Sequence, residues 1–127
     1  MTRIQATFLA LVAAQTAHSV EEYLGRLYEV FAPARFVSLL ASQDPRRGFL
    51  IMNLALIGFG LWCFFWPIRR GWPSAIGLMW FWAALEFVNG IGHSLRTVIE
   101  RRYTPGVGTA PVLLALSVYL AWQLRNA

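Results

Sequence analysis

Residues 49–66 read FLIMNLALIGFGLWCFFW, an apolar run that contains no charged side chain. The run lies between Arg-Arg-Gly at 46–48 and Pro-Ile-Arg-Arg at 67–70. A membrane-spanning helix needs about 20 largely apolar residues, and arginines are common where such a helix leaves the bilayer. The run therefore predicts a transmembrane helix over about residues 49–66.

Three other segments have the length and apolar character of spanning helices. Residues 73–95 begin with a proline suited to a first helical turn, and Thr109 is a plausible N-cap for residues 109–124. Residues 4–31 carry charges in their second half, so this helix must turn its polar face toward a bundle interior. We predict an all-α fold, a four-transmembrane-helix bundle that forms one membrane domain over residues 1–127.

Composition and charge point to the same class. The chain is 57% hydrophobic and 13% charged, whereas a soluble domain is nearer half apolar and about a quarter charged. The net charge of +5 comes from arginines placed in pairs between apolar runs, which is typical of membrane loops and argues against nucleic acid as a partner. We expect an integral membrane protein of a bacterial inner (plasma) membrane.

The first predicted helix carries the pattern His18-Ser19-Val20-Glu21-Glu22. Ionisable residues inside a span are costly and indicate a functional site. Because a helix advances about 100° per residue, both carboxylates lie within about 60° of the histidine. One face of this helix is therefore a candidate binding face.

The third predicted helix repeats this arrangement with Glu86, Asn89 and His93 on one face. The first and third of four spans run in the same direction through the membrane. At about 1.5 Å per residue, the His18 pattern and this second pattern reach similar depths. Both histidines of the protein are therefore expected to meet at one level.

Imidazole and carboxylate groups together are ligands for zinc, iron or manganese. We predict a divalent metal site, zinc or iron with manganese also compatible, formed from His18, Glu21, Glu22, Glu86 and His93. In a mononuclear site, His18, Glu22 and His93 bind the ion, Glu21 is the general base, and Glu86 and Asn89 support the ligands. In a dinuclear site, the three carboxylates bridge two ions. A metal-free polar network and a haem held between the histidines are the alternatives.

The loop after the third helix, Tyr-Thr-Pro-Gly-Val-Gly-Thr at 103–109, is the third feature. Its Pro-Gly step predicts a tight turn, and free amides before the last helix can bind a substrate oxygen. Tyr103, Gly106 and Thr109 are candidate substrate-binding residues, the alternative being a simple helix connection. Trp80 and Trp82 could line a lipid-sized pocket or only pack in the bundle.

Together these motifs resemble the HXXEE family of small membrane proteins. The pattern at 18–22 matches the motif for which the family is named. The family's Asn-x-x-x-His motif corresponds to residues 89–93, and its Tyr-x-Pro-Gly-x-x-Thr motif corresponds to residues 103–109. The resemblance covers nearly the whole chain and implies a family of suspected enzymes, without a known activity or metal.

We expect a metal-dependent membrane enzyme that hydrolyses a lipid or another apolar small molecule, with the metal lowering the pKa of water and Glu21 taking the proton. A di-iron oxidase or hydroxylase is the closest alternative. A metal-free isomerase would move a proton with His and Glu while Trp80 and Trp82 stabilise a cation. A non-enzymatic transporter is the last alternative, and one four-helix unit would need to form a homo-oligomer for it.

Overall fold

A computed structural model describes all residues 1–127 as six α-helices joined by turns and loops, with no β-strand. The helices are α1 (Arg3–Leu24), α2 (Leu27–Val30), α3 (Ala32–Ala41), α4 (Pro45–Cys63), α5 (Ala75–Glu100) and α6 (Ala110–Arg125). A π-helical turn, Phe64–Ile68, continues α4. Helix α6 packs against α1 and α5, and α1 also packs against α4. The prediction of an all-α fold is confirmed.

Helix α1 ends earlier than the predicted helix over residues 4–31. A Cβ atom added to Gly25 would lie 2.7 Å from Cβ of Pro105, so the loop before α6 packs directly on the end of α1. Arg26 then adopts a left-handed backbone with φ 55°. The chain turns here, and the rest of the predicted helix forms the short α2 and Phe31, the residue that precedes α3.

Helices α4 and α5 are longer than the predicted segments 49–66 and 73–95. Helix α4 begins at Pro45, where a side-chain oxygen of Asp44 accepts a hydrogen bond from the amide of Arg46 at 3.0 Å. Pro67 lacks an N–H group, and the π-helical turn contains it near the end of the helix. Helix α5 continues to Glu100, and Arg101 ends it in a left-handed conformation.

The interior of the protein contains many polar side chains, while large apolar side chains are exposed on its outer surface. A buried apolar cluster surrounds Trp82, which contacts the ring of Phe8 edge-on. The same interior holds buried polar side chains: Thr7, Gln15, His18, Ser19, Glu22, Glu86, His93, Thr104, Ser117 and Gln123. Large apolar side chains are exposed on the outer surface, among them Leu54, Phe81, Val88, Val98, Val118 and Trp122.

Two helices are long and apolar enough to cross a membrane, Pro45–Ile68 and Ala75–Glu100. This finding concerns length and composition only. Helix α6 is apolar but has 16 residues, and α1 does not meet the same criteria. Of the four predicted spans, these criteria therefore identify the second and the third.

Candidate metal centre

Three ionisable side chains from α1 and α5 converge inside the protein. His18 is fully buried, and Glu22 and His93 are 7% and 8% exposed. One carboxylate oxygen of Glu22 lies 3.4 Å from Nε2 of His18, and the other lies 3.2 Å from Nε2 of His93. The ligand atoms of these three residues all lie within 4.8 Å of one another, an arrangement that could hold a metal ion.

The spacing of these atoms fits the requirements of a small divalent ion. Nitrogen and oxygen ligands at about 2.0–2.2 Å from tetrahedral zinc are separated by about 3.4 Å. Each of the two oxygens of Glu22 lies at about this distance from a different imidazole nitrogen, one 3.4 Å from Nε2 of His18 and the other 3.2 Å from Nε2 of His93. Two histidines and one carboxylate also form the usual ligand set of non-haem iron and of several zinc sites.

Gly106 allows the loop before α6 to approach both imidazole rings. Its φ of 101° lies in the left-handed region. A Cβ atom added at this position would lie 2.6 Å from Cε1 of His93 and 2.8 Å from Cε1 of His18. Only glycine satisfies both the backbone conformation and the close approach. The loop therefore covers the histidine pair with backbone atoms.

Hydrogen bonds determine which nitrogen of His18 carries its proton. The hydroxyl group of Thr109 lies 2.7 Å from Oε1 of Glu21, a carboxylate that can only accept, so Thr109 donates there. The same hydroxyl oxygen lies 2.7 Å from Nδ1 of His18 and therefore accepts the N–H of the ring. Nε2 of the neutral ring is then unprotonated, buried and without a hydrogen-bond partner. Its lone pair is available to a metal ion beside Glu22.

Glu21, predicted as a general base and metal ligand, points toward the loop instead. Its oxygens accept hydrogen bonds from the Tyr103 hydroxyl at 2.6 Å, the Gly108 amide at 2.9 Å, and the Thr109 amide and hydroxyl at 2.9 and 2.7 Å. The two amides precede α6, where free N–H groups favour an anion. The hydrogen bond to Glu21 raises the pKa of Tyr103 to about 12. Glu21 therefore connects α1 to the loop.

Glu86 belongs to a second polar group, separate from the three converging ligands. It is fully buried. With its amide nitrogen toward Glu86, Gln15 donates to both carboxylate oxygens at 2.9 and 2.8 Å. Asn89 lies 3.4 Å from the same carboxylate, and Ser19 donates to Asn53 at 2.7 Å nearby. This amide and hydroxyl group lines the interior between α1, α4 and α5.

The two tryptophans predicted at a substrate pocket lie away from the histidines. Trp82 is fully buried in the apolar core, with its ring 6.0 Å from the ring of Phe59 in a stacked arrangement. Trp80 is 43% exposed on the outer surface of α5. Trp82 therefore packs in the core, and neither side chain lines the groove that reaches His93.

That groove has a volume of about 820 Å³ and runs along α5. Its lining includes His93 and Asn89 together with apolar side chains of α4 and α5. It gives one of the converging histidines a route to the outer surface. This groove has no signature in the sequence, because it depends on how two distant helices are spaced.

The structure thus brings together some of the predicted residues and separates others. His18, Glu22 and His93 share one centre, whereas Glu21 and Glu86 lie in other hydrogen-bonded groups. Of the loop residues, Gly106 and Thr109 contact the histidines, and Tyr103 contacts Glu21. Gln15 and Asn53 were not among the residues predicted from the sequence. In the sequence, each of them is an amide side chain within a largely apolar stretch, and this pattern could have identified them as buried polar residues.

Comparison with known proteins assigns the chain to a family. No curated protein and no solved structure matches it. A family model described as "protein of unknown function with HXXEE motif" matches residues 9–120, which include the three converging ligands and the loop that covers them. The chain therefore belongs to the HXXEE family.

Proposed function

We propose that the protein is an integral membrane bundle in which α1, α4, α5 and α6 all span the bilayer. The distribution of side chains supports this, because large apolar residues are exposed while histidine, glutamate and glutamine are buried. At about 1.5 Å per residue, the 22 residues of α1 and the 16 of α6 extend about 33 and 24 Å, near the thickness of a hydrocarbon core.

This topology can be tested with reporter domains inserted at two connections. The turn at residues 71–74 and the loop at residues 101–109 lie at opposite ends of α5. We expect a reporter at the first and one at the second to lie on opposite sides of the membrane. Two reporters on the same side would contradict a spanning α5.

Within this bundle, His18, Glu22 and His93 are proposed to bind one divalent metal ion, zinc or iron. The observation that carries the proposal is the convergence of their three ligand atoms within 4.8 Å. The fixed proton on Nδ1 of His18 adds to it, since an unpaired buried Nε2 lone pair beside a carboxylate is unfavourable unless a metal cation or a proton lies between them. Neither argument requires Glu21 or Glu86 as a ligand.

The function that this site supports best is hydrolysis of a lipid or similar apolar substrate within the membrane. A zinc or iron ion bound there would supply Lewis-acid chemistry, polarising a carbonyl group and lowering the pKa of water. Asn89 lines the groove beside His93 and can donate to a substrate oxygen. Glu21 and Thr109 hold the imidazole of His18 in place, and we assign Glu21 to positioning because its oxygens already accept four hydrogen bonds.

A metal-free acid–base enzyme is the second candidate, because each oxygen of Glu22 faces one imidazole and could share a proton with it. The di-iron alternative has less support. It would need further carboxylates at the centre, and both Glu21 and Glu86 are engaged elsewhere.

Metal analysis distinguishes these candidates. The protein is purified in detergent without chelator, repleted with zinc or iron, dialysed, and its bound metal quantified by mass spectrometry. We expect about one ion per chain in the wild type and in Glu29→Gln, an exposed glutamate on α2. His18→Ala and His93→Ala should both lose the ion. A folded wild type that binds no metal after repletion would contradict the metal site and favour acid–base chemistry.

A further inference from the structure

The groove beside His93 lies between two helices that have no extended contact with each other, α4 and α5. Its volume of about 820 Å³ falls within the range of about 300–1,000 Å³ that holds small ligands. Leu56 of α4 lines one side, and Leu85 and Val88 of α5 line the other. Because Val88 is 68% exposed on the outer surface of the bundle, a molecule in the bilayer could enter from the side.

One end of this groove is charged. Arg96 and Glu100 line it there, with Nε of Arg96 donating to Glu100 at 3.1 Å. A second nitrogen of Arg96 donates to the Val30 carbonyl at 3.0 Å, and the guanidinium lies 4.4 Å from the ring centre of Phe31. Arg102 also lies 3.6 Å from Glu100. Two guanidinium groups thus face one carboxylate, which leaves one positive charge at this end.

The third guanidinium nitrogen of Arg96, Nη1, is buried and has no hydrogen-bond partner. A buried cationic donor without an acceptor is unfavourable. Because Nη1 has almost no accessible surface, the guanidinium would turn toward the groove to pair with an anion there, which would supply the missing hydrogen bond and balance the charge. The opposite end of the groove, near Leu85, carries only apolar side chains. Charge is therefore confined to one end, as it is in an amphiphile.

We propose that this groove binds a single-chain amphiphile with one negative charge, for which a long-chain fatty acid is the simplest example. The anionic head lies at Arg96, and the apolar chain runs between α4 and α5 toward Leu85. Along α5 these two residues are separated by about 16 Å, which suits a long alkyl chain. The ligand comes from the bilayer, because the groove opens toward the exposed apolar surface.

This inference rests on the proposed function in one respect, namely the bond that would react. His93 precedes Arg96 by less than one helical turn, about 4.5 Å along the axis. A head group at Arg96 therefore brings the first atoms of the chain beside His93 and Asn89, which line the same groove. In a substrate of this class, the bond cleaved by water would therefore lie close to the charged head, whereas a fatty acid, which has no such bond, would be bound without reacting.

Binding of hexadecanoate to the purified protein in maltoside detergent tests the proposal, with hexadecanol as the uncharged probe. We expect saturable hexadecanoate binding that is about tenfold or more tighter than hexadecanol binding, because a charge-assisted hydrogen bond is lost with the alcohol. Arg96→Gln should remove this preference and Arg96→Lys should retain it in part. Arg101→Gln, on the same end of the bundle but outside the groove, should leave the preference unchanged.

A second pair of variants tests the groove without altering Arg96. A Cβ atom added at Gly92 or at Gly77 meets no atom within 4 Å, so both positions of α5 have open space. Gly92 lines the groove, whereas Gly77 lies outside it. Gly92→Phe should lower hexadecanoate binding about tenfold or more, and Gly77→Phe, with the same loss of glycine from the same helix, should not.

Equal binding of the two probes, or a preference that persists in Arg96→Gln, would overturn the proposal. So would equal binding to the two phenylalanine variants. The measurements are repeated in His18→Ala, where we expect the preference for the anion to remain. A wild type that binds no metal but keeps the preference for the anion would contradict only the metal site, and a wild type that binds metal without a preference for the anion would contradict only the groove ligand.

Discussion

Glu21 and Glu22 are adjacent in the chain, yet the regions around them differ in almost every respect. Glu21 faces the loop at 103–109, where hydroxyl and amide groups donate to its oxygens. Glu22 faces the interior, where each oxygen lies opposite an imidazole nitrogen of His18 or His93. The carboxylate of Glu21 accepts four hydrogen bonds, whereas the carboxylate of Glu22 lies beside two imidazoles that can also act as metal ligands.

This difference shows how one motif can serve two purposes. Successive residues of a helix point about 100° apart, so neighbouring glutamates reach different partners. Glu22 shares a face with His18 and belongs to the centre. Glu21 acts on the same histidine indirectly, because its hydrogen bond with Thr109 fixes the proton of the ring.

The largest effect is expected for Glu22→Gln, which removes the charged ligand while preserving the size of the side chain. We expect metal affinity to fall by more than about 100-fold, beyond the 10- to 100-fold range of residues that only support a ligand. Competition with a chromogenic chelator measures it, and Glu29→Gln is the matched control. If Glu21→Gln lowered affinity more than Glu22→Gln does, the two roles would be reversed.

The next largest effect is expected for Gly106→Ala, which tests how closely the loop covers the histidines. The new methyl group would combine a strained backbone with contact to both imidazole rings. We expect a loss of stability of about 1–3 kcal/mol from the backbone alone, together with weaker metal binding. Gly71→Ala is the control, since Gly71 also has a positive φ, 67°, but no neighbour within 4 Å. Equal metal affinity in the two variants would contradict close covering.

A smaller effect is expected for Thr109→Val, which removes the hydroxyl between Glu21 and His18. Without that hydroxyl the proton of the imidazole is no longer directed to Nδ1, and metal affinity should fall about tenfold. Thr97→Val is a suitable control, because the Thr97 hydroxyl pairs with Thr104 and does not contact a histidine. An unchanged metal affinity in Thr109→Val would contradict the positioning of His18 by Glu21 through Thr109.

The smallest effect is expected for Tyr103→Phe, which removes one of the four hydrogen bonds to Glu21 from an exposed position. Metal binding should change little. The more direct measurement is the pKa of Tyr103, about 12, because forming a phenolate beside the Glu21 carboxylate is unfavourable. The difference between the ultraviolet titrations of the wild type and Tyr103→Phe should show this pKa. Glu21→Gln should lower the pKa of Tyr103 toward the ordinary 10.0. An ordinary pKa in the wild type would contradict the hydrogen bond.

Helical spacing was enough to predict much of the centre. The offset between His18 and Glu22 fixes their common face on any helix, and the placement of His93 in a parallel helix predicted a similar depth. The structure brings these three side chains together. The mononuclear hypothesis already made Glu22 a ligand and Glu21 a general base, but helical offsets could not favour it over the dinuclear one, because both carboxylates are compatible with one face. The positioning contacts of Glu21 were not predicted.

The different roles of Glu21 and Glu22 depend on contacts between distant parts of the chain. Tyr103 and Thr109 reach Glu21 across more than 80 residues of sequence, and no local pattern encodes that approach. The same loop explains the end of α1, where Pro105 packs on Gly25. Trp82 could not be assigned from the sequence for a different reason. An aromatic residue in an apolar helix is compatible with a core and with a pocket, and only its packing partners show that Trp82 belongs to the core.

The bond between Thr109 and His18 also has a consequence for the order in which the protein is made. Thr109 stands immediately before α6, whereas His18 and Glu22 belong to α1, which leaves the ribosome earlier. Until Thr109 has been synthesised and its loop has folded against α1, the imidazole of His18 lacks the partner that fixes its proton. Maturation of the centre is therefore a late step in biogenesis, and a nascent chain interrupted before α6 would be unable to complete it.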